Sequence, residues 1–244
     1  DVKESGGIVK QVIDLEIAKR PFVTLTPTSD GAEIIISIEN MGFFDNIEYE
    51  LTYLADNPQV SGEKLQRGAT GTDVNTKDQK YKKSVLLGTA SRGVRSPDKG
   101  IADGKLTLHM IKGEEEYLSE TNWDLFEAGE TKIDLEDKTG NFKVDLPSLG
   151  KNYYIIIADT VGPPQNDAYK VENVSLPVYG TFSIAPTFKS KATVTIKSNL
   201  EKEPELYIYN HQDGSAEKTE SQFENGKISA TVDSFATFVV VSPQ

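Results

Sequence analysis

Alternating apolar and polar residues recur along this chain and predict β-strands far more often than helices. Segment 32–40 reads A-E-I-I-I-S-I-E-N, so that isoleucine occupies every second position on one face. Segment 47–55 reads I-E-Y-E-L-T-Y-L-A and alternates in the same way. A period of two with β-branched and aromatic residues is typical of strands that bury one face. The same pattern predicts strands at 22–25, 105–111 and 141–146.

Short Asp-Gly and Asn-Gly sequences separate the predicted strands. Both residue pairs tolerate the positive φ angles that tight hairpin turns require. Asn225-Gly226 lies between a polar segment that ends at Phe223 and the apolar segment 228–232, and it therefore predicts a β-hairpin. Asp-Gly turns are predicted at 30–31, 103–104 and 213–214.

Two segments fit more than one secondary structure. Residues 7–20 fit a short amphipathic helix and also a strand, in which apolar residues alternate from Ile13 to Ile17. We favour the strand, because Pro21 leads directly into the next predicted strand. Residues 114–128 fit a turn of helix, an irregular connection or an edge strand.

A change in composition near residue 175 indicates two domains. Residues 159–167 contain Gly162-Pro163-Pro164 and predict a loop. A new series of short strands follows, which we predict at 181–185, 192–197, 205–209, 217–223, 227–232 and 235–241.

The fold class that these patterns predict is all-β, with two tandem antiparallel β-sandwich domains of immunoglobulin-like type. Residues 1–20 form an N-terminal lead or strand. The larger sandwich covers residues 21–175 and carries a polar insertion at 61–83, which we expect to be mobile. The small C-terminal sandwich covers residues 176–244.

The C-terminal segment resembles a known type of module. It reads A-T-V-T-I-K-S, then E-L-Y-I-Y-N, then E-N-G-K-I-S-A-T-V-D-S-F-A-T-F-V-V-V. This order resembles a recurrent C-terminal β-sandwich module of bacterial surface and secreted proteins. The first module is similar in outline to immunoglobulin-like or fibronectin type III-like domains, through its strand pattern alone. The resemblance implies an architectural or adhesive role outside the cytoplasm, and it brings no catalytic residues.

Composition narrows the classes of function. The 244 residues include no cysteine, which excludes disulfides and cysteine-ligated zinc. A net charge of −12 repels phosphate backbones and argues against nucleic-acid binding. No apolar run approaches the ~20 residues of a membrane span, so we expect no transmembrane segment. Because the chain begins with Asp1 in a polar stretch, we expect a mature or trimmed N-terminus.

Flat aromatic rings are the first candidates for ligand binding. Trp123 is the single tryptophan, and Tyr207 and Tyr209 share one face of a predicted strand. Exposed rings of this kind stack on sugars and other flat ligands. A single tryptophan in a β-sandwich belongs more often to the core, and one face of the tyrosine strand must also be buried.

Oxygen-rich loops are the candidates for metal binding. Asp73, Asn75 and Asp78 begin like a calcium loop, but Lys77 occupies the third ligand position and the register of an EF-hand is missing. A loop calcium ion is therefore the one cofactor considered. His109 and His211 are expected to be ordinary strand and turn residues.

The leading hypothesis from the sequence is a non-enzymatic structural or interaction protein of the bacterial cell surface, such as a filament or adhesin subunit. Its partner is a protein or a second copy, joined through strand edges, and a strand within 8–17 could pair with a neighbouring subunit. The alternatives are a carbohydrate-binding module that recognises a glycan and, third, a carboxylate-dependent glycoside hydrolase, whose two acids cannot be located from sequence.

Overall fold

The computed structural model describes residues 8–243 and confirms the prediction of an all-β protein. Helical structure in this part of the chain is limited to three single-turn 3-10 helices, Val12–Asp14, Ile17–Lys19 and Val171–Asn173. The strands are β1 Ile8–Gln11, β2 Phe22–Pro27, β3 Glu33–Glu39, β4 Asn46–Asp56, β5 Lys64–Val74, β6 Lys80–Leu86, β7 Gly88–Ser91, β8 Val94–Pro97, β9 Ala102–Lys112, β10 Glu115–Ala128, β11 Ile133–Glu136, β12 Phe142–Leu146, β13 Tyr153–Thr160, β14 Val178–Phe182, β15 Ala192–Lys197, β16 Glu205–Tyr209, β17 Ala216–Thr219, β18 Gln222–Glu224, β19 Lys227–Val232 and β20 Thr237–Val241.

One long sheet forms the middle of the molecule. This central sheet has the strand order β17-β16-β20-β14-β13-β10-β9-β4-β5, and β1 is added beside β10. A three-stranded sheet has the order β2-β3-β6, and a five-stranded sheet has the order β11-β12-β15-β19-β18. Strands β7 and β8 form a separate hairpin.

The two smaller sheets pack on opposite faces of the central sheet, and β13 shows this most clearly. Ile156 and Ala158 belong to the core beneath the three-stranded sheet. Ile155 and Ile157 belong to the core beneath the five-stranded sheet. Because side chains alternate between faces, a strand buried on both faces needs an unbroken apolar run, and β13 has one. The described residues therefore form three layers of sheet, and the central sheet is shared by two sandwich-like cores.

A third apolar cluster covers the face of β16 and β20 that lies opposite the five-stranded sheet. Tyr207 and Val239 pack there against Tyr169, Val171 and Val174 of the preceding loop. The loop is tied to β20 by a backbone hydrogen bond of 2.9 Å from Ser242 to Asn173. The loop therefore covers this part of the central sheet as a small additional layer.

Most of the predicted strands are present. The prediction of strands at 192–197, 205–209 and 227–232 is confirmed to the residue. The hairpin at Asn225-Gly226 is also confirmed, with both residues at positive φ.

The N-terminal segment differs from both alternatives. Only β1 is a strand, and two single-turn 3-10 helices follow it. Residues 1–7, the rest of the predicted N-terminal lead, lie outside the described residues, as does Gln244. Leu15 is buried in the core beneath the three-stranded sheet, and this anchor bends the chain away from a continuous strand.

The predicted polar insertion at 61–83 is largely β-strand, and its mobility stays a prediction. It contains all of β5 and the beginning of β6. Val74 and Tyr81 supply the buried positions, whereas residues 64–70 are mostly exposed because β5 is the last strand of its sheet. An edge strand needs few apolar residues, which explains its polar sequence.

Residues 114–128 form the longest strand of the described chain, β10, and not a helix or an irregular connection. Its buried positions include Tyr117, Ser119, Thr121 and Trp123, which alternate as a strand requires. Two of these four residues are polar, and they conceal the period of two.

The sheets do not separate at residue 175. Strands β11 and β12 precede it and belong to the five-stranded sheet, in which β12 pairs with β15. Strand β14, which follows it, pairs with β13 in the central sheet. Whether residues 21–175 and 176–244 are separate folding units stays a prediction. No helix among residues 8–243 has the length and apolar character needed to cross a membrane.

Candidate functional site

The predicted aromatic ligand platform is not exposed in this structure. The side chain of Trp123 is 1% exposed and lies in the core, where its ring centroid is 6.2 Å from that of Tyr53. A Cβ atom added to Gly104 would lie 2.3 Å from the indole, so the glycine makes room for it. Trp123 therefore packs the core and offers no stacking face.

Tyr207 and Tyr209 are also packed inside. Tyr207 is 9% exposed, and its ring centroid lies 5.3 Å from that of Tyr169. Tyr209 is 8% exposed and meets Phe22 edge-on, with centroids 5.4 Å apart. Both rings are covered by other parts of the chain, so the candidate glycan surface has no exposed ring from this set.

The predicted calcium ligands Asp73, Asn75 and Asp78 make hydrogen bonds and ion pairs within the chain. Asp73 accepts a hydrogen bond of 2.8 Å from Tyr81 and pairs with Lys83 at 2.8 Å. These contacts lower the pKa of Asp73, with the Lys83 bond as the largest cause. Asn75 instead donates to Asp78 at 2.9 Å. Within residues 8–243, no group of three or more acidic or histidine side chains is placed to hold a metal ion.

The two histidines have different surroundings. His211 stacks on Phe182 with ring centroids 4.9 Å apart, and its Nε2 lies 2.8 Å from the hydroxyl of Thr237. Burial lowers the pKa of His211 to about 4. His109 lies on an open face of the central sheet, 3.4 Å from Glu116. The structure therefore keeps the histidines apart, one in the interior and one at the surface.

The carboxyl group of Asp159 has a strongly raised pKa. Burial raises the pKa of Asp159 to about 6, although its Oδ1 accepts a hydrogen bond of 2.9 Å from the backbone N–H of Asn122. Burial also raises the pKa of Asp124, whose carboxylate lies 3.5 Å from Lys138. Lys138 belongs to the turn between β11 and β12, and the negative charge of Asp137 in the same turn also raises both pKa values.

A polar cleft of about 380 Å³ lies where the β16–β17 hairpin approaches β19. It is lined in part by Asp213, Glu217 and Asp233, and by none of the residues that the sequence singled out. Hydrogen bonds from Ser215 lower the pKa of Asp213. A glycosidase acid needs the opposite shift, so Asp213 does not have the character of such an acid.

The N-terminal strand occupies an unusual place beside β10. Strand β9 runs along one side of β10 from residue 115 to 123, and β13 pairs with the other side from 123 to 128. Strand β1 takes the position beyond the end of β13, pairing with residues 115–118. It is parallel to β10, whereas the other strand pairs in residues 8–243 are antiparallel.

Side-chain contacts of β1 are modest at its C-terminal end. Lys10 pairs with Glu115 at 2.6 Å, and each side chain is 36% exposed. Gln11 is exposed and faces Leu118 across the strand pair. Exposed ion pairs of this type contribute little to stability. Backbone pairing with β10 is therefore the main attachment of these two residues.

The segment after β1 is held much more firmly. Arg20 is 6% exposed and donates hydrogen bonds of 3.0 Å to the carbonyl groups of Leu15 and Ile13. Asn40 donates to the carbonyl groups of Ala18 and Arg20 at 2.9 and 2.8 Å. Sequence reasoning missed these anchors, because nothing in the sequence distinguishes a buried arginine from an exposed one.

Within residues 8–243, the candidate functional features are strand edges, above all β1 beside β10. No protein-family model matches the sequence, and no curated protein matches it.

Proposed function

We propose that this protein is a non-enzymatic structural or interaction subunit of a bacterial cell surface, of the filament or adhesin kind. It acts outside the cytoplasm and joins its neighbours through strand edges. We keep the immunoglobulin-like character of the two sandwiches as part of this proposal, with the central sheet shared between them.

The observation that carries the proposal is the position of β1. This short terminal strand fills the side of β10 that β13 leaves, at residues 115–118. The same place accepts any chain that presents the same backbone and side chains, including the N-terminal strand of a neighbouring copy.

The alternatives have less support. A carbohydrate-binding module needs exposed rings, and Trp123, Tyr207 and Tyr209 are buried. A glycoside hydrolase needs a proton donor with a raised pKa in an open cleft. Asp159 has the raised pKa, yet its carboxylate accepts a hydrogen bond from the backbone N–H of Asn122 and does not line the polar cleft.

Cysteine cross-linking tests the exchange of β1. Residues 11 and 118 are partners in the β1–β10 register, and the chain has no cysteine of its own. We expect a mixture of the Gln11→Cys and Leu118→Cys variants, oxidised at high protein concentration, to give a covalent dimer. Non-reducing electrophoresis and mass spectrometry identify the bond.

Two further variants make this experiment decisive. The double variant with both cysteines in one chain should close an internal disulfide in dilute solution, which shows that the two positions can bond. Leu118→Cys mixed with Gln222→Cys, which is exposed on a distant strand, should give no specific dimer. If the double variant closes internally and the first mixture gives no covalent dimer, β1 is not exchanged and the proposal is wrong.

The proposed location has its own measurement. Intact cells of the native host can be treated with a membrane-impermeant amine reagent, and lysine labelling of this protein is then read by mass spectrometry. Labelling equal to that of a known surface protein supports the proposal, and labelling equal to that of a cytosolic protein contradicts it.

A further inference from the structure

Strand β5 is the open edge of the central sheet. It has eleven residues, and its one strand partner within residues 8–243 is β4. The first seven residues, 64–70, are exposed or half-exposed. An open edge strand presents a row of backbone N–H and C=O groups that another strand can bind.

The charges of β5 are all used within the chain. Lys64 pairs with Asp56 at 2.7 Å and also donates to the carbonyl of Gly100 at 2.6 Å. Arg67 pairs with Asp98 at 3.3 Å. At the other end, residue 73 is the aspartate already bound by Lys83. The remaining residues between 65 and 72 are uncharged, so the edge is neutral on a strongly acidic chain.

Other strand edges are protected by the means that natural proteins use, which are charge, shortness and proline. Strand β6 carries three exposed lysines, of which Lys80 and Lys83 form ion pairs with Glu39 and Asp73, while Lys82 adds a further charge. Strands β11 and β17 have four residues each and include charged side chains, and β18 has three residues. Strand β2 ends in Pro27. Strand β5 has neither proline nor an unpaired charge, and it is long.

Exposed apolar side chains lie next to this edge. Leu65 in β5 is 37% exposed, and Val60 in the loop before it is 43% exposed. A second strand laid along β5 would cover Leu65. Burial of apolar surface would then add to the backbone hydrogen bonds of the new strand pair.

We propose that β5 pairs antiparallel with β5 of a second copy of this chain, about a two-fold axis, and joins two central sheets into one. Two identical chains of net charge −12 repel each other over most of their surface. The neutral edge is where they can approach closely. A two-fold axis places each β5 against its own counterpart and closes the assembly at two copies. This inference rests on the proposed function in that the chain associates with itself, but it uses a different edge from β1.

The test separates this contact from exchange of β1. The full chain with Gln11→Cys and Leu118→Cys is oxidised, so that β1 stays bonded to its own β10; this is the locked variant. Sedimentation or light scattering across a range of concentrations should give a mass twice the 26.8 kDa of the chain. Adding Thr70→Lys, at an exposed position of β5, should weaken the dimer at least about tenfold, because each copy then brings an extra positive charge to the shared edge.

A matched control adds the same charge to another exposed edge. Gln222→Lys in β18 should leave the dimer of the locked variant unchanged. Emission of Trp123 shows whether each variant is folded. A locked variant that stays monomeric at every concentration overturns the proposal, and so does a folded Thr70→Lys variant that dimerises as before. If the locked variant dimerises through β5 while no cross-link forms between residues 11 and 118 of different copies, this inference stands and the proposed exchange of β1 fails.

Discussion

Two half-buried ionisable side chains, His211 and Asp159, change the stability in opposite directions as the pH falls. The fold favours neutral His211, whose pKa falls to about 4 through burial. Between pH 6.5 and pH 4 the unfolded chain binds this proton more readily, so stability falls as the pH falls. The fold also favours protonated Asp159, whose pKa rises to about 6 through burial. Between pH 6 and pH 4 the folded chain binds that proton more readily, and stability rises as the pH falls.

Removing one of the two groups should expose the effect of the other. Relative to the wild type, His211→Gln should gain about 2 kcal/mol of unfolding free energy on going from pH 7 to pH 4.5, because its penalty is gone. Asp159→Asn should lose about 2 kcal/mol over the same range. Urea unfolding at several pH values measures both differences.

The other ionisable groups contribute equally to the pH dependence of the wild type and the variants, so their contributions cancel in the comparison. The exposed carboxylates with lowered pKa values, such as Asp30 and Asp213, titrate in all three proteins. A histidine variant whose pH dependence runs parallel to that of the wild type would contradict the role of His211. The same outcome for the asparagine variant would contradict that of Asp159.

At the scale of single elements, the sequence predicts strands whose buried positions are apolar. β3 and β4 are of this kind, with isoleucine, leucine and tyrosine on the buried face. The sequence leaves β10 open between a strand and other structures, because Ser119 and Thr121 occupy buried positions. β5 escapes prediction because an edge strand has little to bury. The strands that matter most for the proposed contacts, apart from β1, are therefore those with the weakest pattern.

The candidate site could be predicted only in outline. The alternation from Ile13 to Ile17 predicts a strand in the N-terminal segment, but the strand that forms is β1, residues 8–11. Its parallel place beside β10 depends on where β13 ends. That endpoint is set by tertiary structure. The aromatic and acidic candidates were chosen by residue type, and residue type alone does not distinguish a buried ring such as Trp123 from an exposed one.

Arg20 tests how the segment after β1 is held. In Arg20→Met the apolar stem is kept, while the carbonyl groups of Ile13 and Leu15 lose their donor. Because buried acceptors without partners are costly, we expect a loss of about 1–3 kcal/mol of unfolding free energy. Amide hydrogen exchange in residues 12–20 should accelerate.

Arg92→Met is the matched control for this variant. Arg92 lies in the exposed turn between β7 and β8, so its replacement removes the same charge without touching the segment. If both variants lose equal stability, or if exchange in residues 12–20 is unchanged in Arg20→Met, the anchoring role of Arg20 is refuted.

For the whole molecule, the shared central sheet connects two cores that the sequence assigns to separate domains. Ile155 and Ile156 are neighbours in one strand, yet they serve different cores. Neither core can lose β13 without opening the other. The unbroken apolar run of β13 was the one sequence signal for this arrangement, and it is also compatible with a simple buried strand. Coupling of the two cores therefore predicts one cooperative unfolding transition.

A substitution in one core, measured by a fluorescence probe in the other core, tests whether the two cores unfold together. Ile228 is fully buried in the core beneath the five-stranded sheet, and Trp123 reports on the core beneath the three-stranded sheet. Ile228→Val should cost about 1 kcal/mol. With one cooperative transition, the urea midpoint seen by Trp123 fluorescence shifts by the same amount as the midpoint seen by circular dichroism. With independent domains the fluorescence midpoint stays at its wild-type value, because the tryptophan lies in the unaltered core, and the boundary near residue 175 would then mark two folding units.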